Sequence, residues 1–232
     1  MVAVLLVAAT AAVQGALGFG MNLLAVPVLV VLDPTFVPGP AIAAGLVLSG
    51  LVAARERVPL DPHLGWAVAG LVPGTALALV LLALVPPESL PLPMGVLVLV
   101  AVALSAVRLN LAPTPATLAV AGTTSGFMAT AASIGGPPMA LLYAESRGDR
   151  LRSNLSAFFA LAALLSLAAL VSTGHFGAHE LRISMLLLPG VLVGFLASGY
   201  LRPLFDRGHT RAAVLALSAV AGIGAIVEGL LH

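Results

Sequence analysis

Long apolar runs, separated by short polar punctuation, fill this chain from end to end. The runs at 39–54, 64–85, 91–107, 153–173, 183–201 and 211–231 each read as an apolar helix. Two other apolar stretches are interrupted in the middle. The first has arms at 2–17 and 21–32 and breaks at Gly18-Phe19-Gly20. The second has arms at 115–133 and 137–145 and breaks between them at Ile134-Gly135-Gly136, with Pro137 and Pro138 opening the second arm. The arms of the first are short, about 18–24 Å of helix at 1.5 Å per residue, against a hydrocarbon core of about 30 Å. Backbone in lipid must satisfy its own hydrogen bonds, so a break at that depth needs protein or water around it. Interrupted segments in corresponding halves of a chain point to a transporter's binding site.

The arginines decide how the broken stretches run. If each is a hairpin that leaves on the side it entered, Arg55, Arg57, Arg108, Arg147, Arg150, Arg152, Arg202, Arg207 and Arg211 share one side. Only Arg182 lies on the other. If each is a single crossing, the split is four against six and carries no orientation signal. The hairpin reading therefore makes the arginine-rich side cytoplasmic and puts both termini outside. Two complete crossings per broken stretch give the same count, so that ten-helix variant stays open. Each half then holds a broken pair and three helices, an odd number of crossings, so the second half is inverted relative to the first. The expected fold is an all-α polytopic membrane protein of two inverted repeats, 1–110 and 115–232. The hairpins lie at 2–32 and 115–145, and the Pro-containing loop 109–115 joins the halves.

Composition agrees. The 232 residues are 60% hydrophobic and 8% charged, where soluble domains carry about 25% charge. Mean hydropathy is +1.15. These values place the chain in a cell membrane as a multi-pass protein. There is no cysteine, which excludes disulfides and thiol chemistry. No basic aromatic patch suggests nucleic acid, and the apolar start lacks the positive region of a cleaved signal peptide. A homodimer is compatible with the sequence but unmarked in it.

The tips carry the chemistry. A helix starting after each break presents unpaired N–H groups and a partial positive charge, an anion seat built from backbone. Gly18, Gly20, Gly135 and Gly136 allow close approach, and Pro137 suits a first helical turn. Gln14, Asn22, Thr124, Ser125 and Ser133 are neutral polar groups nearby, with Phe19 and Met21 between them. Neutral donors suit a transported anion, because a fixed buried cation holds it too tightly to release. Gly15, Gly45, Gly70 and Gly194 read instead as helix-packing glycines.

The segment Gly15-Ala-Leu-Gly-Phe-Gly-Met-Asn-Leu-Leu-Ala-Val-Pro27 resembles the N-terminal repeat of the sulfite exporter TauE/SafE family of membrane permeases. Ser125-Gly-Phe-Met and Ile134-Gly-Gly-Pro-Pro are similar to that family's second motif. Met21 and Asn22 stand where members often have glycines, which narrows the site or adds an amide donor. The resemblance implies transport, often outward, of a small sulfur-containing or organic anion such as sulfite or a sulfonate.

Asp33 and Glu145 close the two hairpins and read as caps, with proton coupling as the alternative. Arg152 and Asn154 stand at a vestibule beside the second hairpin, where a positive field draws anions. His175 and His179 have a metal-like spacing but fall in a glycine-containing external loop, so no metal is expected there. No cofactor is expected either. Neither a nucleotide-binding motif nor a buried nucleophile with its base is visible, which argues against an enzyme. The expected function is a secondary transporter, with an anion channel using the same tips as the alternative.

Overall fold

The computed structural model describes residues 1–86, 89, 91–106, 111–143, 146 and 148–205. Among these the fold is all helix: α1 (Val2–Leu17), α2 (Met21–Leu32), α3 (Gly39–Glu56), α4 (Leu64–Leu84), α5 (Pro91–Ala106), α6 (Pro115–Ala132), α7 (Gly136–Leu142), α8 (Gly148–Ser172) and α9 (Ala178–Phe205). A single 3-10 turn, Pro34–Phe36, joins α2 to α3. The helices α3, α4, α8 and α9 are long and apolar enough to cross a membrane, and α1, α2 and most of α5 are shorter apolar helices. The last expected helix, 211–231, lies outside the described residues, as do Glu145, Arg108, Arg147, Arg207 and Arg211.

The first break falls at Gly18–Gly20, and the second at Ser133–Gly135, with Gly136 already in the second arm. Helix α1 ends on Gly18 at φ 98°, and α2 starts after Gly20 at φ 114°, a region open to glycine at little cost. Helix α6 ends on Ser133 at φ 61°, where a side chain is strained. Its hydroxyl donates to the Pro38 carbonyl at 2.9 Å, which helps hold it there. The start of α6 is a capping box. Thr114 accepts from the Thr117 N–H at 3.2 Å, and Thr117 accepts from the Thr114 N–H at 2.8 Å.

Two helices start a turn earlier than the apolar pattern suggests, α8 at Gly148 rather than 153 and α9 at Ala178 rather than 183. Their polar first turns carry Asp149 and Glu180, and acidic groups are favourable at a helix N-terminus. His179 therefore belongs to a helix and not to the expected loop. The nearest partner of the His175 ring is the Thr173 hydroxyl at 3.0 Å.

Close packing concentrates on two helix pairs. Along α4 and α6, a Cβ on Gly70 would stand 2.3 Å from the Ala119 carbonyl oxygen, and one on Gly74 2.1 Å from that of Thr123. Gly122 meets the Ala67 carbonyl in the same way, at 2.0 Å. Along α1 and α9, Gly190 faces the Val4 carbonyl at 2.5 Å and Gly194 that of Ala8 at 2.3 Å. Apolar burial drives little association between helices in lipid, so close backbone approach at small residues does the work. The opposite faces of α4 and α9 expose large apolar groups such as Val72, Leu77, Leu186 and Leu196, as a lipid-facing surface requires.

Replacing Gly74 by Ala should lower stability by about 1–3 kcal/mol through overpacking, although Ala is the better helix former by about 1 kcal/mol. Gly50→Ala is the control, since nothing lies within 4 Å of its Cβ position. Thermal unfolding in detergent checks this: a lower midpoint is expected for Gly74→Ala alone.

Candidate functional site

The two breaks line one cavity. It encloses about 550 Å³ between protein atoms, its open mouth included. Helix α1 contributes Gln14, the first break Phe19 and Gly20, and α2 Asn22 and Leu23. From the second break come Ser133, Ile134, Gly135, Gly136 and Pro137. Ile42, Gly45 and Ser49 of α3 and Phe159, Ala162 and Ala163 of α8 form the side walls. The lining is apolar apart from four neutral polar side chains, those of Gln14, Asn22, Ser49 and Ser133.

Each polar group is held. Gln14 is buried, and its Oε1 accepts the Met21 N–H at 3.1 Å. It thereby fills one donor of the α2 N-terminus from the preceding helix. Its Nε2 donates to Ser49 Oγ at 3.4 Å. Asn22 Nδ2 donates to the Ser133 carbonyl at 2.9 Å and the Ala41 carbonyl at 3.3 Å, so one amide ties the second break to α2 and α3. Asn22 Oδ1 is buried and accepts no hydrogen bond among the described residues.

The four glycines of the breaks do different things. A Cβ on Gly136 would sit 3.6 Å from Phe159 Cζ and 3.7 Å from Phe19 Cβ, ordinary contacts, so this cavity-lining position accepts a Cβ without a clash. At Gly20 only Val13 Cγ1 is near, at 3.9 Å. Gly135 is a packing glycine whose Cβ would lie 2.8 Å from that of Ala129. Gly18 abuts Arg152, with Cγ 3.1 Å and Cα 3.2 Å from its Cβ position.

Of the residues expected from the sequence, Gln14, Phe19, Gly20, Asn22, Ser133, Gly135, Gly136 and Pro137 line the cavity. Met21 supplies its N–H to Gln14 while its side chain joins the core. Thr124 and Ser125 stand apart from it. The Thr124 hydroxyl returns to the Val120 carbonyl at 3.0 Å. Ser125 is fully buried, with no hydrogen-bond partner for its Oγ among the described residues. Asn154 is a tether: its Oδ1 accepts the Asp61 N–H at 2.8 Å and its Nδ2 donates to the Arg150 carbonyl at 3.0 Å.

Arg152 is buried beside the first break and belongs to a group that the sequence reading missed. The Glu56 carboxylate, 4% exposed, lies 3.3 Å from Arg55 Nε and 3.3 Å from Arg152 Nε, and Arg202 pairs with it as well. Arg55 also donates to the Gly15 carbonyl at 2.6 Å and to Ser198 Oγ at 2.8 Å. Arg152 donates to the Ala16 carbonyl at 3.3 Å. These carbonyls belong to the last turn of α1, where unpaired oxygens and the helix dipole favour cations. Only the sequence Arg55-Glu56-Arg57 hinted at this, and a charged run at a helix end reads as an interfacial anchor.

Asp33 accepts from the Thr35 hydroxyl at 2.7 Å and the Thr35 N–H at 2.9 Å. These bonds, the hydroxyl's first, hold its pKa below the ordinary carboxylate value of 3.8. A depressed pKa places the titration on the acid side: the stabilising charge is fully present above 3.8 and is lost only as pH falls through the lower folded value. Asp33→Asn should therefore leave the pH profile of any transport between about pH 5 and 8 unchanged, as measured by flux across that range.

Four helices long and apolar enough to cross a membrane, with two broken helix pairs around a mostly apolar cavity, define a multi-pass membrane protein. The chain belongs to the sulfite exporter TauE/SafE family: the family model of that description matches residues 2–225. No curated protein and no solved structure matches the chain.

Proposed function

We propose that this chain is a secondary transporter that carries a small sulfur-containing or organic anion, such as sulfite or a sulfonate, out of the cell. The anion binds between the two breaks, and the two halves, 1–110 and 115–232, alternate around it. The observation that carries this reading is that one cavity is lined by both breaks, with a helix beginning at each. Helix N-termini favour an anion. The second Nε2 hydrogen of Gln14 and the Ser49 hydroxyl orient it, since the donors of Asn22 and Ser133 are already given to carbonyls, and the lack of a cation in the lining lets it go.

Reciprocal packing supports two inverted halves. The first arm of each broken pair, α1 or α6, lies along the fourth helix of the other half's set, α9 or α4. Gly15 meets Ser198 near the far end of α9, as Val4 meets Gly190 nearer its start, so α1 and α9 run the same way. Ala119 and Thr123 meet Gly70 and Gly74 in the same order. The end of α7 stays near the start of α4, since the Tyr143 hydroxyl donates to Asp61 Oδ2 at 3.1 Å. These contacts fit hairpins entering from opposite faces. With Arg55, Arg57 and Arg152 together at one face, the positive-inside rule makes that face cytoplasmic and puts the termini outside.

Flux of radiolabelled sulfite in proteoliposomes tests the proposal. Saturable, counter-flow-sensitive transport is expected. Gly136→Leu should reduce it about tenfold or more, equivalent to about 1.4 kcal/mol, with an unchanged unfolding midpoint, because the side chain fills open cavity. Full activity in that variant would remove the second break from the site. A non-saturating conductance would show a channel.

A further inference from the structure

The cavity is flanked by different chemistry towards the two ends of α3. Towards the start of α3 the flank is neutral, with Asn22 and Ser133 on the carbonyls of Ala41 and Pro38. Towards the end of α3 it is ionic. Ser49 lines the cavity, and Glu56 lies seven residues on, about 10 Å along the same helix at 1.5 Å per residue. On α8, Phe159 lines the cavity and Arg152 lies seven residues back, about 10 Å in the same direction. On α1, Gln14 lines the cavity, and the next two carbonyls, of Gly15 and Ala16, are those held by Arg55 and Arg152. The Glu56 cluster thus stands directly between the cavity and the face that bears the 57–63 loop.

Its composition is unusual for a mere seal. A buried ion pair gains little over well-packed apolar side chains, and its best-attested use is to select one of two arrangements. Here one carboxylate joins α3 to α8 and α9, and through Arg55 and Arg152 to the tip of the first broken pair. Arg152 Nε lies within pairing distance of Glu56 but makes no aligned hydrogen bond, and Arg202 Nε has no partner among the described residues. Glu56 Oε1 accepts from Arg55 Nε and from Arg202 Nη2, and Arg152 adds charge alone, so one carboxylate controls the cluster.

We infer that Glu56, with Arg55, Arg152 and Arg202, is an ionic gate that shuts the cavity on the 57–63 face. The gate rests on reading the cavity as the transport site. Its test needs no cargo and no flux, so it fails separately from that reading. The chain has no cysteine, so one introduced thiol is a clean reporter. Ser49→Cys reports the cavity, and Leu60→Cys, in the 57–63 loop and 47% exposed, marks the face. The probe is a membrane-impermeant maleimide applied to either side of reconstituted vesicles.

Glu56→Gln in the Ser49→Cys background should speed labelling from the Leu60 face about tenfold or more, a barrier change of about 1.4 kcal/mol. Labelling from the other face should not change. No acceleration, or equal acceleration from both faces, overturns the gate, since general loosening has no side. If Glu56→Gln does not accumulate, Arg202→Gln keeps the Arg152 pair and is read in the same way. A smaller one-sided acceleration is then expected, and its absence overturns the proposal.

Discussion

A helix broken inside a membrane leaves backbone donors and acceptors that water cannot reach, each costing several kcal/mol if unmet. Most of what is distinctive in this structure answers that constraint. At the first break the Gly18 N–H closes on the Gln14 carbonyl at 2.7 Å, and the Gln14 side chain takes the Met21 N–H. The carbonyls of Gly15 and Ala16 go to Arg55 and Arg152. At the second break the Ser133 carbonyl goes to Asn22. One glutamine side chain and one asparagine therefore join the broken ends, and the cavity lies between them.

The two breaks are answered by unlike partners. The first uses two guanidiniums tied to a buried carboxylate, and the second uses an amide and a hydroxyl. The cavity lining itself stays free of charged side chains, with the guanidiniums of Arg55 and Arg152 held on the carbonyls of Gly15 and Ala16 behind it. In the proposed transport reading, an anion there meets neutral donors and no fixed charge that would trap it. The glycine contacts of α4 with α6 and of α1 with α9 hold each broken arm against a long helix, so the breaks sit on a close-packed frame.

The positions of the breaks were legible because glycine and proline have local meanings. Gly18 and Gly20 adopt the positive φ that glycine permits, and Pro137 and Pro138 fall in the first turn of α7. Partners were not legible. Apolar periodicity reports that a residue is in a membrane helix but not which neighbour its side chain meets. Gly18 thus read as a ligand-facing glycine, whereas it makes room for Arg152. Thr124 read as a donor, whereas its hydroxyl returns to its own helix, as hydroxyls in apolar helices commonly do. Glu56 drew no notice because charges at a helix end normally face the headgroups. Its burial follows only from α8 and α9 bringing Arg152 and Arg202 to it, contacts about a hundred residues or more away along the chain.

The central claim is that an oxyanion binds where both breaks meet, and locating the anion tests it most directly. Selenite shares the charge and pyramidal shape of sulfite and carries an atom that scatters anomalously. In crystals soaked with it, the expected result is an anomalous peak among Gln14, Asn22 and Gly136. A well-occupied peak elsewhere, with the cavity between Gly20 and Gly136 empty, would contradict the assignment.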